Sequence, residues 1–135
     1  MTEKSLTVAI MDAPYEAAAS TTAFRIIAAA LAKGIDVNVF AYEGAVSLTV
    51  KEQAPHANPV KGTSVEQEEH PTTKDLVAAL LELGRSEPRL NWVNRGLCVD
   101  ERGAGSWIDG VKRGGPANFL EMAVASTATL VIPTK

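Results

Sequence analysis

The chain has 135 residues, 46% of them hydrophobic, with a formal net charge of −3 and a pI near 5.4. That is the size and composition of one globular domain with a single core. The charge leaves no broad basic surface for phosphates, which argues against nucleic acid or an anionic membrane as partner. A lone cysteine, Cys98, excludes an intrachain disulfide.

The opening "MTEKSLTVAIMDAPYEA" has too short an apolar stretch for the hydrophobic region of a signal peptide, and a cytoplasmic location is expected. No window approaches the roughly 18 unbroken apolar residues of a spanning helix. Leu6 to Met11, "LTVAIM", reads as a first strand buried on both faces and stopped by Asp12 and Pro14. In "YEAAASTTAFRIIAAALAKG", Ala23, Phe24, Ile27, Ala30 and Leu31 recur at helical spacing, and Gly34 supplies the stop. "IDVNVFAYEG" alternates Ile35, Val37, Val39 and Ala41, the period of a strand. Strand, helix and strand on short connections make a right-handed βαβ unit with parallel strands.

"AVSLTV" after Gly44 suits either a strand or a turn into another element. The stretch from Lys51 to Lys74 carries three prolines, both histidines and a cluster of acids without an apolar period. It reads as a long solvated loop, with a lid over a site as the alternative. Thr72 with Asp75 then resembles a capping box ahead of a helix whose stripe is Leu76, Val77, Leu80 and Leu81, closed by Gly84. "RLNWV" is a short strand running into the cysteine segment, and "CVDERG" a short helical turn ending at Gly103. "GGPANFLEMAVAS" is a helix with Pro116 in its first turn and Phe119, Leu120 and Ala123 facing inward, and "TATLVIP" is the final strand. Four or five strands alternating with about four helices give an α/β domain: one mostly parallel sheet covered on both faces.

In open α/β sheets, sites gather where strands end and helices begin, and Cys98 falls there. A helix N-terminus and the cations Arg95, Arg102, Lys112 and Arg113 favour a thiolate. Asp100 and Glu101 oppose it. Free cysteine is also among the most buried of residues, so an inert, structural Cys98 stands as the alternative. Asp12, Tyr15 and Glu16 end the first strand and could share the site's rim, although for Asp12 or Glu16 helix capping is the first reading. Trp92 and Trp107 read as core or subunit packing.

No G-x-G-x-x-G follows the first strand and no P-loop occurs. His56 and His70 read as surface residues, and neither a metal nor a cofactor is expected. No nucleophile–base pair or ligand set points to a hydrolase or a metal-dependent enzyme.

Four segments, in order, carry a resemblance across nearly the whole chain: "LTVAIMDAP", "AFRIIAAALAKGIDVNVFAYEGAV", "NRGLCVDERGAG" and "IDGVKRGGPANFLEMAVASTATLVI". Together they resemble the DsrE/DsrF-like family, which includes sulfur-relay subunits related to TusD and the YchN-like proteins. The resemblance implies a single Rossmann-like, three-layer domain over residues 1–135, with about five strands. It implies a homo-oligomer (a trimer or hexamer), or a hetero-oligomer with paralogous subunits, working between sulfur donor and acceptor proteins. Members with a cysteine corresponding to Cys98 are similar to persulfide carriers, which makes Cys98 the persulfide acceptor, with Arg95 and Arg102 as stabilisers of the thiolate or persulfide. Many YchN-like members read C-x-x-C here, whereas this chain has Arg95 at the first cysteine's place, so an internal dithiol cycle is unavailable. The alternative within the same fold is a non-catalytic subunit or small-ligand module with a buried, inert Cys98.

Overall fold

The computed structural model describes residues 4–14, 19–54, 62, 64 and 72–133. Tyr15, Glu16, His56, His70 and most of the loop between 51 and 74 lie outside the described residues. In chain order the elements are β1 (Ser5–Ile10), α1 (Ala19–Ala32), β2 (Asp36–Ala41), a 3₁₀ helix (Glu43–Thr49), α2 (Thr73–Leu83), β3 (Leu90–Arg95), α3 (Gly96–Arg102), β4 (Val111–Gly114), α4 (Pro116–Ala125) and β5 (Ala128–Ile132). Of the ambiguous "AVSLTV", Ala45 to Thr49 form the body of the 3₁₀ helix, and Val50 follows it extended, in an isolated antiparallel bridge to Trp107.

The five strands form one sheet in the order β4-β3-β2-β1-β5, and every pairing is parallel. From β1 to β4 the chain steps steadily toward one edge, and right-handed crossovers then place all the intervening helices on one face. Val8, Ile10, Val37, Val39 and Trp92 meet Phe24, Ile27, Val77 and Leu80 there in the main core. All five residues named from the apolar period of α1 are buried, and Gly34 follows the helix with φ +78°, a conformation that favours glycine. In α2, Thr72 Oγ1 donates to Asp75 Oδ2 at 2.9 Å. Of its expected stripe, Val77 and Leu80 are fully buried while Leu76 and Leu81 pack from the margin.

After β4 the chain reverses, crosses to the opposite edge and pairs β5 beside β1, which sends α4 to the other face. That face has no second helix among the described residues. Phe119 reaches Phe40 with ring centroids 5.2 Å apart, and Thr7 Oγ1 donates to the Met122 carbonyl at 3.1 Å. No residue of α4 is fully buried. The expectation that Leu120 faces inward is overturned: the residue is 63% exposed, because no neighbouring helix among the described residues receives it. Trp92, one of the two tryptophans, is wholly buried in the core and is no candidate for a subunit contact.

Candidate functional site

Cys98 lies in the first turn of α3, directly after β3, at the carboxyl ends of the strands. Arg95 is the extended residue before the helix, and Gly103, at φ +61°, ends it in the left-handed conformation. This short helix is held in place from two directions. Across β3 and β4, Arg113 donates to Asp100 Oδ1 at 3.0 Å and Oδ2 at 2.7 Å. The guanidinium runs over Gly96, where a Cβ would stand 2.7 Å from Arg113 Nε. Beneath the site, Trp92 Nε1 donates to Asn94 Oδ1 at 3.2 Å, and Asn94 Nδ2 donates to Thr49 Oγ1 at 3.0 Å. All three side chains are buried, so this chain of bonds ties the 3₁₀ helix to β3 where solvent cannot compete.

The thiol itself is 1% exposed. Val46, Val99 and Ala104 are buried around it, and Tyr42, Val50 and Trp107 pack from the margin. Two donors nevertheless point at the sulfur. The Glu43 backbone N–H donates to Cys98 Sγ at 3.1 Å, and Arg95 Nη1 lies 3.7 Å from it. Arg95 Nε is buried and has no hydrogen-bond partner among the described residues. A sulfur that receives N–H groups from two sides sits in a field that suits negative charge.

The other expected cations divide by position. Arg102 Nη2 bonds Glu43 Oε2 at 3.1 Å, and Arg102 Nη1 is 3.5 Å from Glu101 Oε2. Arg113 is committed to Asp100. Lys112 lines an open cleft of about 460 Å³ with Ser5, Asp36 and Arg89 at the opposite ends of the strands. The acids expected to oppose a thiolate are thus each matched by an arginine. Hydrogen bonding to Arg113 holds the Asp100 carboxyl below its ordinary range, and the same contact raises the guanidinium further. Burial, helped by the Glu43 carboxylate, pushes the Tyr42 phenol upward.

Asp12 is buried at the end of β1. Glu43 was absent from the sequence-derived site because 55 residues separate it from Cys98. Its only signal was the Tyr42–Glu43–Gly44 step immediately after the second strand. Among the described residues, no group of three or more His, Cys, Asp or Glu side chains is arranged to hold a metal ion, and no helix is long and apolar enough to cross a membrane.

Comparison with known proteins gives one family model, the DsrE/DsrF-like family, matching residues 4–131. Among solved structures, the crystal structure of the YchN protein from E. coli superposes with a TM-score of 0.67 at 21% identity, covering 96% of this chain and 99% of that one. At that identity the likeness speaks for the fold. No curated protein matches.

Proposed function

The chain belongs to the DsrE/DsrF-like family, and from that premise we propose that it is a sulfur-relay subunit carrying a sulfane sulfur on Cys98. The observation that carries this reading is the pair of N–H donors, from Glu43 and Arg95, converging on Sγ. In the forward step the Cys98 thiolate attacks the outer sulfur of a donor persulfide, R–S–SH. The Sγ–S bond forms as the donor's S–S bond breaks, and the donor leaves as its thiolate. An acceptor thiolate then attacks the outer sulfur of Cys98–S–SH, and the Cys98 thiolate is the leaving group. No net oxidation occurs, so a single cysteine suffices. Arg95 and Arg102 have separate parts: Arg95 donates directly to sulfur, and Arg102 acts through Glu43.

The same reading places the protein in the cytoplasm, between donor and acceptor proteins, as a homo-oligomer. Self-association is supported by Leu120 and Val124 of α4, 63% and 78% exposed, and by Val131 of the edge strand β5, 52% exposed. Such apolar surface is ordinarily covered in an assembly.

A second reading has one observation in its favour: the 1% exposure of Cys98 is also that of an inert core thiol in a non-catalytic subunit. Intact mass separates the two. Reduced protein is incubated with a cysteine desulfurase and cysteine, or with polysulfide. Gain of sulfur by the wild type but not by Cys98→Ser supports the carrier. No gain, or equal gain in both, leaves the inert subunit.

A further inference from the structure

We infer that the Glu43–Arg102 ion pair is a latch that covers and uncovers Cys98, an inference that rests on the persulfide reading. A buried thiol can exchange sulfur with another protein only if something moves, and of the groups that meet Sγ, Glu43 is the one whose exposed side chain is fastened from outside. Glu43 contributes the N–H that meets Sγ, while its carboxylate is held by Arg102 at 3.1 Å on the outside of the same residue. Contact and fastening are one residue, and the fastening is in water: the Glu43 and Arg102 side chains are 52% and 33% exposed.

Three further features fit a fastening that opens. Glu43 has φ +50°, the left-handed region that a non-glycine residue adopts only at a cost, so releasing it relieves strain. Arg102 has Glu101 within 3.5 Å and keeps an anionic partner when it lets Glu43 go. Gly44, next in the chain, is packed so closely that a Cβ would lie 2.8 Å from Ala13 Cβ. Gly44 thus fixes the chain on the C-terminal side of Glu43, and opening is a turn of Glu43 about its own φ, which carries its N–H off Sγ. Independently, the buried Nε–H of Arg95 has no acceptor among the described residues, while the same guanidinium touches Sγ through Nη1. A second sulfur on Cys98 supplies an acceptor of the right kind beneath the latch.

The test is the rate at which native protein reacts with iodoacetamide, a neutral thiol reagent whose own reactivity is insensitive to salt. Arg102→Ala and Glu43→Gln are each expected to accelerate labelling of Cys98 about two- to fivefold, the range set by a half-exposed ion pair. Wild-type protein in 1 M NaCl should accelerate similarly, since the pair is screened there. The exchanged double variant Glu43→Arg with Arg102→Glu should return toward the wild-type rate, a rescue that general loosening does not give. Unchanged rates in both single variants, or a double variant as fast as the singles, or rates that follow the denaturation midpoint alone, overturn the latch. Sulfur uptake by the same variants keeps the two ideas apart. Faster labelling without uptake by any variant retains the latch and removes the persulfide reading. Uptake with unaltered labelling does the reverse.

Discussion

Arg113 grips both carboxylate oxygens of Asp100, at 3.0 and 2.7 Å, across the bare Cα of Gly96. The pair joins the edge strand β4 to the helix that bears Cys98, and it neutralises an acid two residues from the sulfur. Because the contact stabilises the ionised carboxylate, the folded-state value of Asp100 is depressed. Its contribution to stability is present above the ordinary aspartate range and is lost as the pH falls through the lowered folded value. In Arg113→Ala the Asp100 carboxyl should titrate higher, back toward its ordinary range. An NMR pH titration of the side-chain carboxyl carbons checks this, and an unmoved Asp100 would show that something other than Arg113 holds it down.

Two glycines at this end of the sheet should respond differently to the same substitution. A Cβ at Gly44 would meet the Cβ and backbone nitrogen of Ala13 at 2.8 and 2.9 Å, and the backbone cannot swing away. Gly44→Ala is expected to destabilise by about 1–3 kcal/mol, read by urea denaturation. At Gly96 the obstacle is the guanidinium of Arg113 at 2.7 Å, the end of a flexible chain. Gly96→Ala should leave the denaturation midpoint nearly in place while releasing Asp100, with the same upward shift in its titration as in Arg113→Ala.

Asn94 is the midpoint of a buried chain of bonds from Trp92 to Thr49. Asn94→Ala strands an indole N–H and a hydroxyl away from water, and a loss of about 2–4 kcal/mol is expected. Thr49→Val should cost less, since Asn94 keeps its indole partner. Denaturation monitored by tryptophan fluorescence suits this pair of variants because Trp92 reports on the site directly. Equal small losses in both would mean the network contributes little.

The apolar surface of α4 makes a prediction of opposite sign. Leu120→Lys and Val124→Lys replace side chains 63% and 78% exposed and should change subunit stability by no more than about 0.5 kcal/mol. They should nonetheless shift the protein to its monomeric mass in analytical ultracentrifugation. A wild type that is already monomeric at high concentration would remove the self-association reading.

Local signals located most elements because they are decided locally. The 3.6-residue period of Ala23, Phe24, Ile27, Ala30 and Leu31 names the buried face of α1, and Gly34 and Gly103 mark helix ends by a backbone conformation that glycine favours. Leu120 shows where such reasoning stops. Its spacing from Phe119 and Ala123 is that of an inward stripe, but inward has a meaning only when a neighbour exists. Whether one does depended on the return crossover that left α4 the one helix on its face among the described residues.

Cys98 divides along the same line. The sequence by itself determined that the chain's single thiol follows a strand at the start of a short helix, since apolar runs and a terminal glycine are properties of adjacent residues. It also determined that no second cysteine assists it. Only the tertiary structure decided that the thiol is covered, that Glu43 donates to it from 55 residues away, and that Arg113 pairs with Asp100. Those facts come from the pairing of β2, β3 and β4, which brings three separate carboxyl ends together. Which side chains then meet depends on register across the sheet, and no local periodicity encodes that.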